Sequence, residues 1–504
     1  QFAKAAVSLL GEKVWVNEHV RQAIGSLGRA GHVLFAEHHM AHAASAFYPS
    51  PFDSAAVLTI DGVGEWATTS LGVGRGAALE LFAEIDYPHS LGLLYSAFTA
   101  FCGFKVNSGE YKLMGLAPYG KPRYADLIRS HLIDIRDDGS YRLDMSYFGY
   151  LDGMTMAGER FAQLFDGAPR TPESQITRRE MDLAASVQAV TEEIVLKTAR
   201  HLRRVTGEKN IVLAGGVALN CVANGKLEKA GIFDGIWIQP AAGDAGGALG
   251  AALLAHHMVF DGPRERKGGA RDAQQGSYLG PRYSSEEIMA FLDRKGYPYH
   301  RIASREERLA LVAHALADGK IAGWMSGRME FGPRSLGARS ILGDPRNPAT
   351  QAVMNLKIKY RESFRPFAPA VLREKCRDYF ELDGESPYML LVAPVEASRR
   401  RAMDLSGFNA GDDDMMAVIN QPRSDIPAVT HVDYSARVQT VDRETNPDFH
   451  ALIAVFEALT GYPVLVNTSF NVRGEPIVCS PQDAYRCFMR TEMDLLVMED
   501  IVVW

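Results

Sequence analysis

Twice in the first half of the chain, a short apolar run ends in a glycine-rich turn and is followed by a segment with helical spacing. The first unit is NIVLAGGVALN at residues 210–220, and the second is GIWIQPAAGDAGGALGAALLAHH at residues 235–257. Strand, turn and helix repeated in series are typical of an α/β domain. These two units therefore predict an α/β fold class.

Other segments of the first half extend this interpretation. Residues 54–74 contain two apolar runs around a glycine-rich turn, which predicts a β-hairpin. Residues 91–104 and 181–205 have apolar positions three and four apart, which predicts two helices, the second of them long and amphipathic. Strands and helices thus alternate through this part of the chain.

A polar stretch rich in glycine and charge at residues 261–281 lacks periodicity and predicts a linker. Beyond it, residues 461–478 predict two strands around a polar turn. Residues 403–441 show little periodicity and predict a long active-site loop or an insertion. We predict a first domain at residues 1–260, a linker at 261–275 and a second domain at 276–504.

Composition narrows the class of protein. The formal net charge is -7, which argues against a broad basic surface for nucleic acid. The 5 cysteines are scattered and form no C-x-x-C motif, which favours reduced thiols and a cytoplasmic location. The sequence contains no transmembrane-length apolar run and no visible signal peptide, so we expect no membrane partner. The sequence leaves the oligomeric state open.

Two histidines are the first candidates for metal chemistry. His38 and His42 are four residues apart, so on a helix their side chains share one face and could bind one ion. A histidine pair is more often a packing feature, and other ligands would be needed. Asp61 and Asp244 each follow a predicted strand, where carboxylates point into the ligand crevice of α/β domains. A turn residue and a helix N-cap are the alternative roles for these aspartates.

Three glycine-rich turns follow strands in the first domain: DGVGE, AGGVALN and GDAGGALG. Glycines let backbone N–H groups approach phosphate, so these turns favour nucleotide binding, although close packing of helix on strand explains each one equally well. The candidate residues in these turns are Gly62, Gly215, Gly216 and Asn220.

The segment NSGEYKLMGLAPYGKPRY at residues 107–124 is interrupted by glycines and predicts a structured loop rather than a regular element. A loop of this kind usually serves function, so we single out Glu110, Lys112 and Gly115 as candidate binding residues, with an ordinary surface loop as the alternative.

The second domain contains basic residues among Phe, Pro and Gly, together with hydroxyl and amide side chains. Lys359 and Arg361 are two apart and would share one side of an extended segment, and Ser469 and Asn471 have the same spacing. Such groups suit phosphate or carboxylate ligands. Further candidates for binding these anions are Arg334, Arg339, Arg365, Ser435, Arg437 and Arg473.

Taken in order, nine motifs resemble the NodU/CmcH family of O-carbamoyltransferases over nearly the whole chain. They are HHMAHAASAFYPSPF, TIDGVGEW, SGEYKLMGLAPYG, LAGGVALN, GDAGGALGAA, FGPRSLGARSIL, YRESFRPFAPAVL, HVDYSARVQTV and NTSFNVRGEPIV. The resemblance implies an α/β architecture of two domains: an actin-like ATPase-type (ASKHA) domain followed by a YrdC-like domain.

The resemblance also implies a chemistry. The YrdC-like domain would form carbamoyl adenylate from carbamoyl phosphate and ATP with Mg²⁺, using the K-x-R and S-x-N signatures at Lys359, Arg361, Ser469 and Asn471. The first domain would transfer the carbamoyl group to a hydroxyl of a sugar-containing or natural-product acceptor, and we expect Glu110, Lys112 and Gly115 to bind that acceptor. The family's metal shell, for Fe or Zn, falls on His38, His42, Asp61 and Asp244.

The chain begins with Gln1, after the hairpin segment that opens typical members, so we expect an actin-like domain that is incomplete at its N-terminus. Two alternatives stay open: a tRNA threonylcarbamoyl-type modification enzyme, and a truncated, non-catalytic nucleotide-binding module. A two-site enzyme needs a route between its sites, so we predict extensive contact between the two domains.

Overall fold

The computed structural model describes residues 11, 13–25, 33–151, 153–264, 271–360, 364–403 and 421–504. The strands in these ranges are β1 Ser54–Ile60, β2 Ala67–Arg75, β3 Ala78–Asp86, β4 Ile133–Ile135, β5 Tyr141–Leu143, β6 Asn210–Ala214, β7 Gly235–Ile238, β8 His300–Arg301, β9 Ala322–Met325, β10 Arg339–Gly343, β11 Ala368–Leu372, β12 Leu391–Pro394, β13 Ser435–Val441, β14 Val464–Ser469, β15 Leu495–Met498 and β16 Ile501–Val503. The helices are α1 Val16–Ile24, α2 His38–Phe47, α3 Leu91–Phe101, α4 Glu110–Leu116, α5 Ala125–Leu127, α6 Glu159–Leu164, α7 Arg178–Thr206, α8 Cys221–Lys229, α9 Ala245–Leu254, α10 Ser285–Lys295, α11 Arg305–Ala317, α12 Pro348–Val353, α13 Pro447–Thr460 and α14 Pro481–Met489.

The first sheet has five strands in the order β3-β2-β1-β6-β7. Strands β1, β2 and β3 are antiparallel neighbours, whereas β6 runs parallel to β1 and β7 parallel to β6. The parallel strands come from the two strand–turn–helix units of the sequence, and the antiparallel pair β1–β2 is the predicted hairpin. Helix α7 covers the predicted amphipathic segment and packs against α3, α4 and α8.

The second sheet has nine strands in the order β12-β13-β11-β14-β10-β9-β15-β16-β8. Alternate residues of the same strands enter different apolar clusters: Ile341 and Val464 belong to one, and Leu342 and Leu465 to the other. Both faces of the sheet are therefore covered, as the alternation of side chains along a strand requires. Two mixed sheets with packed helices confirm the predicted α/β class.

Three local predictions are wrong. Residues 107–124 contain the helix α4, because Leu113, Met114 and Leu116 bury an apolar face that outweighs the glycines. Residues 403–441 contain the strand β13, which pairs with β11 and β12, and the 404–420 part lies outside the described residues. Residues 461–478 contain only one strand, β14, because Val478 returns a single backbone bond to Phe470.

The segment around Lys359 also differs from its prediction. Lys359 ends a π-helical turn that starts at Met354, and Tyr360 follows with a left-handed φ of 47°. The predicted extended geometry is therefore wrong at Lys359, and Arg361 lies outside the described residues. Helical hydrogen bonds continue through this turn from α12, and the one-residue shift of a π turn changes which side chains share a face.

The two predicted domains are in close contact. The Tyr119 hydroxyl donates to the Phe364 carbonyl at 2.7 Å, and His431 Nε2 lies 3.0 Å from the Gly115 carbonyl oxygen. Phe364 and Val432 join the same buried apolar cluster as the first sheet. The predicted extensive contact is confirmed.

Part of the predicted linker also forms hydrogen bonds with residues that precede it and residues that follow it in the chain. The Asp272 carboxylate accepts a hydrogen bond from Trp237 Nε1 in β7 at 2.9 Å and from the Tyr388 hydroxyl at 2.7 Å. Arg264 donates to the Phe47 carbonyl and lies over the Phe47 ring. These segments are docked rather than extended through solvent. In the described ranges, no helix combines the length and apolar character needed to cross a bilayer.

Candidate active site

The two predicted metal-binding histidines lie in the first turns of α2, which begins at His38. Their spacing of four residues places both imidazoles on one face, with His38 Nε2 and His42 Nε2 only 3.0 Å apart. Glu65, in the turn between β1 and β2, accepts a hydrogen bond from the His38 backbone N–H at 3.1 Å. This bond satisfies one of the free donors at the helix N-terminus and fixes the orientation of the ligating turn.

Both predicted aspartates reach the same point. Asp61 follows β1 directly, and its Oδ1 accepts from the Gly216 backbone N–H at 2.8 Å while Oδ2 lies 2.9 Å from His38 Nε2. Gly215 has a φ of 89°, and a side chain there would meet the Ile60 carbonyl oxygen, 2.2 Å from its Cβ. Only glycine allows the turn to approach β1 closely enough to hold Asp61.

Asp244 arrives through helix packing. It is the N-cap residue of α9, yet its carboxylate makes no capping hydrogen bond. Helix α9 contacts α2 so closely at Gly250 that a Cβ there would lie 1.8 Å from the Ala41 carbonyl oxygen. This contact brings Asp244 Oδ1 to 3.7 Å from His38 Nε2 and 3.8 Å from His42 Nε2. Asp244 thus occupies the N-cap position that the alternative predicted, but its carboxylate lies beside the two histidines instead of capping the helix.

We call His38, His42, Asp61 and Asp244 the metal cluster, because one ligand atom from each lies within 4.8 Å of the other three. Two imidazoles and two carboxylates form a donor set that suits zinc or iron. Tetrahedral zinc with normal zinc–nitrogen bonds separates two nitrogens by about 3.3 Å. The observed 3.0 Å is close to that value, so the four residues fit a divalent transition metal.

The metal cluster also holds unusual charges. Burial disfavours the Asp61 carboxylate, but hydrogen bonds from His38 and His42 overcome that effect and hold its pKa well below the usual range. The hydrogen bond to Asp61 raises the pKa of His38 despite partial burial. His39 differs, because burial lowers its pKa to about 4 and its Nδ1 bonds the Thr59 hydroxyl at 2.7 Å. His39 is therefore a packing residue beside the cluster.

A second group of predicted residues meets at the end of β14, and we call it the lysine site. The Lys359 ammonium lies 2.7 Å from the Ser469 carbonyl oxygen, 2.8 Å from the Asn471 carbonyl oxygen and 2.6 Å from Asn471 Oδ1. The Ser469 hydroxyl donates to the same Asn471 oxygen at 2.8 Å. Lys359, Ser469 and Asn471 are thus one hydrogen-bonded unit of a cation and neutral acceptors.

Three of the predicted arginines form what we call the basic cluster: Arg334, Arg365 and Arg437. Burial, together with the neighbouring charges of Arg437 and Arg365, lowers the pKa of Arg334 to about 9. Within the described part of the chain, neither Arg334 nor Arg437 forms an ion pair, and the Nε atom of each is buried without a hydrogen-bond partner. Arginine side chains gathered in this way are typical of a site for an anion.

Other predicted anion-binding residues are engaged elsewhere. Arg339 is fully buried, and its guanidinium donates to the carbonyls of Gly327 and Pro281. Arg473 forms an ion pair with Glu173, across to the first domain. The Ser435 hydroxyl donates to Asp433 in the turn that starts β13.

The turn and loop candidates of the first domain mostly serve local structure. The Gly62 carbonyl accepts from the Ser90 hydroxyl at 2.6 Å, and Asn220 caps α8 through the Ala223 N–H at 3.0 Å. The Glu110 carboxylate accepts from the Ser96 hydroxyl and from N–H groups of its own loop.

The remaining two candidates, Lys112 and Gly115, lie in helix α4. The Lys112 ammonium lies 5.8 Å from the Phe104 ring centre, and Gly115 lies against Arg365 of the basic cluster. Acceptor binding by these loop residues stays a prediction.

The sequence analysis did not single out two acidic residues that shape these sites. Glu65 is 27 positions from the His38 N–H that it binds, a distance that no local pattern reveals. Glu330 precedes the FGPRSLGARSIL motif and is 5% exposed. An acidic residue among apolar and glycine residues was the available signal for Glu330.

Comparison with known proteins identifies the family. The family model for the carbamoyltransferase N-terminus matches residues 2–253, and the model for the carbamoyltransferase C-terminus matches residues 313–504. "Uncharacterized protein sll1178" of Synechocystis is 57% identical and aligns with 100% of this chain and 82% of its own length.

Two further relatives have informative names. Nodulation protein NolO of Bradyrhizobium diazoefficiens is 39% identical over 92% of this chain and 78% of its own length. The 3'-hydroxymethylcephem-O-carbamoyltransferase of Amycolatopsis lactamdurans is 30% identical over 82% of this chain and 68% of its own length. The chain therefore belongs to the NodU/CmcH-type carbamoyltransferase family, and it is a carbamoyltransferase enzyme.

Proposed function

We propose that this enzyme carbamoylates a hydroxyl group in two stages, at two separate sites. In the first stage, carbamoyl phosphate and ATP react with one water to give carbamoyl adenylate, pyrophosphate and phosphate. In the second stage, the acceptor oxygen forms a bond to the carbamoyl carbon, the bond from that carbon to the AMP oxygen breaks, and the hydroxyl proton is released. The products of the second stage are the carbamate ester and AMP.

One observation carries this proposal: the chain presents two sites of opposite character. The metal cluster combines two histidines with two carboxylates beside the first sheet, and the basic cluster and lysine site collect cations beside the second. Carbamoyl phosphate and ATP are anions and fit the second set. We assign adenylate formation to a YrdC-like domain at residues 276–504 and transfer to an actin-like domain at residues 1–260.

The basic cluster supplies what adenylate formation requires. Arg334, Arg365 and Arg437 would bind the phosphate of carbamoyl phosphate through charge-assisted hydrogen bonds. The Lys359 ammonium, with its neutral acceptors, would stabilise negative charge that develops on the α-phosphate of ATP, which Mg²⁺ accompanies. Arg361 of the K-x-R signature belongs to the same proposal.

The metal cluster supplies the transfer site. His38, His42, Asp61 and Asp244 would hold an iron or zinc ion, which when bound supplies Lewis-acid stabilisation of charge on oxygen. The protein's own part is to fix these ligands: Glu65 orients the His38 turn and the Gly216 N–H orients Asp61. The hydrogen bonds of Tyr119 to Phe364 and of His431 to Gly115 support a direct passage of carbamoyl adenylate from one site to the other.

The acceptor that we propose is a small molecule with a hydroxyl group, of the sugar-containing or natural-product class. The name of the cephem carbamoyltransferase specifies a hydroxymethyl acceptor for that relative. We propose no nucleic-acid partner, because the net charge of -7 opposes binding to a phosphate backbone. This choice ranks hydroxyl carbamoylation above the tRNA-modifying alternative.

Pyrophosphate release tests the first stage without knowledge of the acceptor. Purified enzyme with ATP and Mg²⁺ should release pyrophosphate only when carbamoyl phosphate is added. If no pyrophosphate is released, the alternative of a non-catalytic nucleotide-binding module would be favoured. Tight, salt-sensitive binding of tRNA would favour the nucleic-acid alternative. If pyrophosphate is released and tRNA does not bind, a panel of hydroxylated acceptors with labelled carbamoyl phosphate would identify the substrate.

A further inference from the structure

The loop that carries Arg334, residues 331–338, is held in place by buried side chains. The Tyr278 hydroxyl and Gln439 Nε2 both donate to the Leu336 carbonyl, each at 2.8 Å. Trp324 Nε1 donates to the Gly337 carbonyl at 3.0 Å, and Asn467 Nδ2 to the Ser335 carbonyl at 3.1 Å. The carbonyl oxygens of this loop thus have partners from several elements.

One carboxylate accepts from three backbone N–H groups at the C-terminal end of this loop. Glu330 Oε1 accepts from the N–H groups of Leu336 at 2.7 Å, Ala338 at 2.7 Å and Arg339 at 3.2 Å. Glu330 is 5% exposed, and its Oε2 is buried without a hydrogen-bond partner. Three donors on a single oxygen close the loop into a fixed turn around the carboxylate.

Two arginines, one in this loop and one directly after it, have different environments. Arg339, the first residue of β10, is fully buried, and its guanidinium donates to backbone carbonyls of neighbouring segments. Arg334, within the loop, lies near the like charges of Arg365 and Arg437, and its Nε is buried without a hydrogen-bond partner. Arg339 therefore supports the local structure, whereas the loop holds Arg334 against electrostatic repulsion.

We infer that Glu330 is a positioning residue for carbamoyl phosphate binding: its carboxylate fixes the 331–338 loop so that Arg334 stays in the basic cluster. This inference rests on the proposed function of that cluster. Without the carboxylate, three buried N–H groups lose their acceptor, and Arg334 is free to turn away from Arg437 and Arg365.

The test is the dissociation constant of carbamoyl phosphate, measured by calorimetry on the full chain, alongside pyrophosphate release. Glu330→Ala should weaken binding by about tenfold or more, because a charge-assisted contact from Arg334 is lost. Glu330→Gln should retain binding within about threefold, because the amide oxygen can still accept from the loop N–H groups. Metal content should be unchanged in both variants.

Two further variants keep the test decisive. Glu180→Ala is the matched control, because Glu180 is also a buried carboxylate that accepts backbone and hydroxyl hydrogen bonds, but in the capping box of α7. It should lower stability without changing the carbamoyl phosphate constant. If Glu330→Ala does not fold, Glu330→Asp replaces it, since its shorter carboxylate cannot reach all three N–H groups.

A double-mutant cycle separates positioning from general structural support. If Glu330 acts through Arg334, replacing Glu330 in an Arg334→Ala background should change the constant by less than about twofold. Equal effects in both backgrounds would overturn the inference, and so would unchanged binding in a folded Glu330→Ala or Glu330→Asp protein. Wild-type enzyme that binds carbamoyl phosphate but releases no pyrophosphate would contradict the proposed adenylation alone. Wild-type enzyme that binds none would overturn both.

Discussion

The metal cluster and the basic cluster are assembled in opposite ways. Two ligands of the metal cluster are four residues apart in α2, and the other two directly follow β1 or begin α9. The basic cluster draws Arg334, Arg365 and Arg437 from three segments of the second domain that share no spacing. One cluster can be recognised from local patterns, and the other exists only after the nine-stranded sheet has formed.

The electrostatics of the two clusters are opposite as well. In the metal cluster, opposite charges favour ionisation, and hydrogen bonds from the histidines lower the pKa of Asp61 despite burial. In the basic cluster, burial and like charges lower the pKa of Arg334 to about 9. Each arrangement suits a ligand of a different sign: a cation beside the five-stranded sheet and an anion beside the nine-stranded sheet. The two clusters should therefore respond independently to substitution.

The largest expected effect is the loss of transfer in His42→Ala. Removing a metal ligand should lower metal content and reduce carbamoyl transfer by at least ~100-fold, while pyrophosphate release from ATP and carbamoyl phosphate continues. Elemental analysis and the two activity assays measure this directly. His39→Asn is the control, because Asn can keep the bond to Thr59 and His39 is outside the cluster. Equal loss of both activities would contradict the separation of the two sites.

Lys359→Ala should have the reverse effect. Pyrophosphate release should fall by roughly 100-fold, because an ammonium that stabilises developing charge is gone, whereas metal content stays at the wild-type level. Lys357→Ala is a control two residues away, since Lys357 pairs with Glu492 at the surface and exposed pairs contribute little. A drop in metal content in Lys359→Ala would show that the two regions are not independent.

The contact between the two predicted domains can be weakened by a substitution outside the metal cluster, the lysine site and the basic cluster. In Asp272→Ala, Trp237 Nε1 and the Tyr388 hydroxyl both lose their acceptor, which should lower the free energy of unfolding by about 2–4 kcal/mol. Urea unfolding measures the change, and Asp134→Ala at an exposed strand position is the control. Unfolding free energies equal to wild type would mean that the linker does not join the two halves.

The smallest expected effect concerns pH. Burial lowers the pKa of His431, which contacts Gly115 across the interface, so the folded protein holds this imidazole neutral. The unfolded state binds the proton first, and stability is therefore lost as pH falls below about 6.5. Between pH 7.5 and 5.5 this histidine should therefore lower the free energy of unfolding, by at most about 1.4 kcal/mol.

That loss should be absent in His431→Gln, whose side chain does not titrate in this range. Paired urea titrations of wild type and variant at the two pH values isolate the effect of this histidine from that of the others. An identical pH dependence in both proteins would contradict a neutral, buried His431.

Sequence reasoning succeeded where chemistry depends on neighbours along the chain. The helical spacing predicted that His38 and His42 share one face, and the strand-end positions made Asp61 and Asp244 candidate partners, while the family resemblance grouped these four residues into one site. It failed at Lys359, where a π turn replaces the extended segment, and at α4, where burial of Leu113 and Leu116 outweighs the glycines. In both failures, tertiary packing overrides a local preference of less than about 1 kcal/mol per residue.

The sequence by itself therefore determined the α/β class, the strand–turn–helix units around β6 and β7, and the shared helical face of His38 and His42. Only the tertiary structure decided the roles of the arginines, because a guanidinium has the same sequence signature whether it binds a ligand or a carbonyl. Arg339 donates to backbone carbonyls and Arg473 pairs with Glu173, whereas Arg334 remains available to an anion. The role of each arginine depends on its burial and on the hydrogen-bond acceptors near it. Both are set by segments that are far apart in the chain.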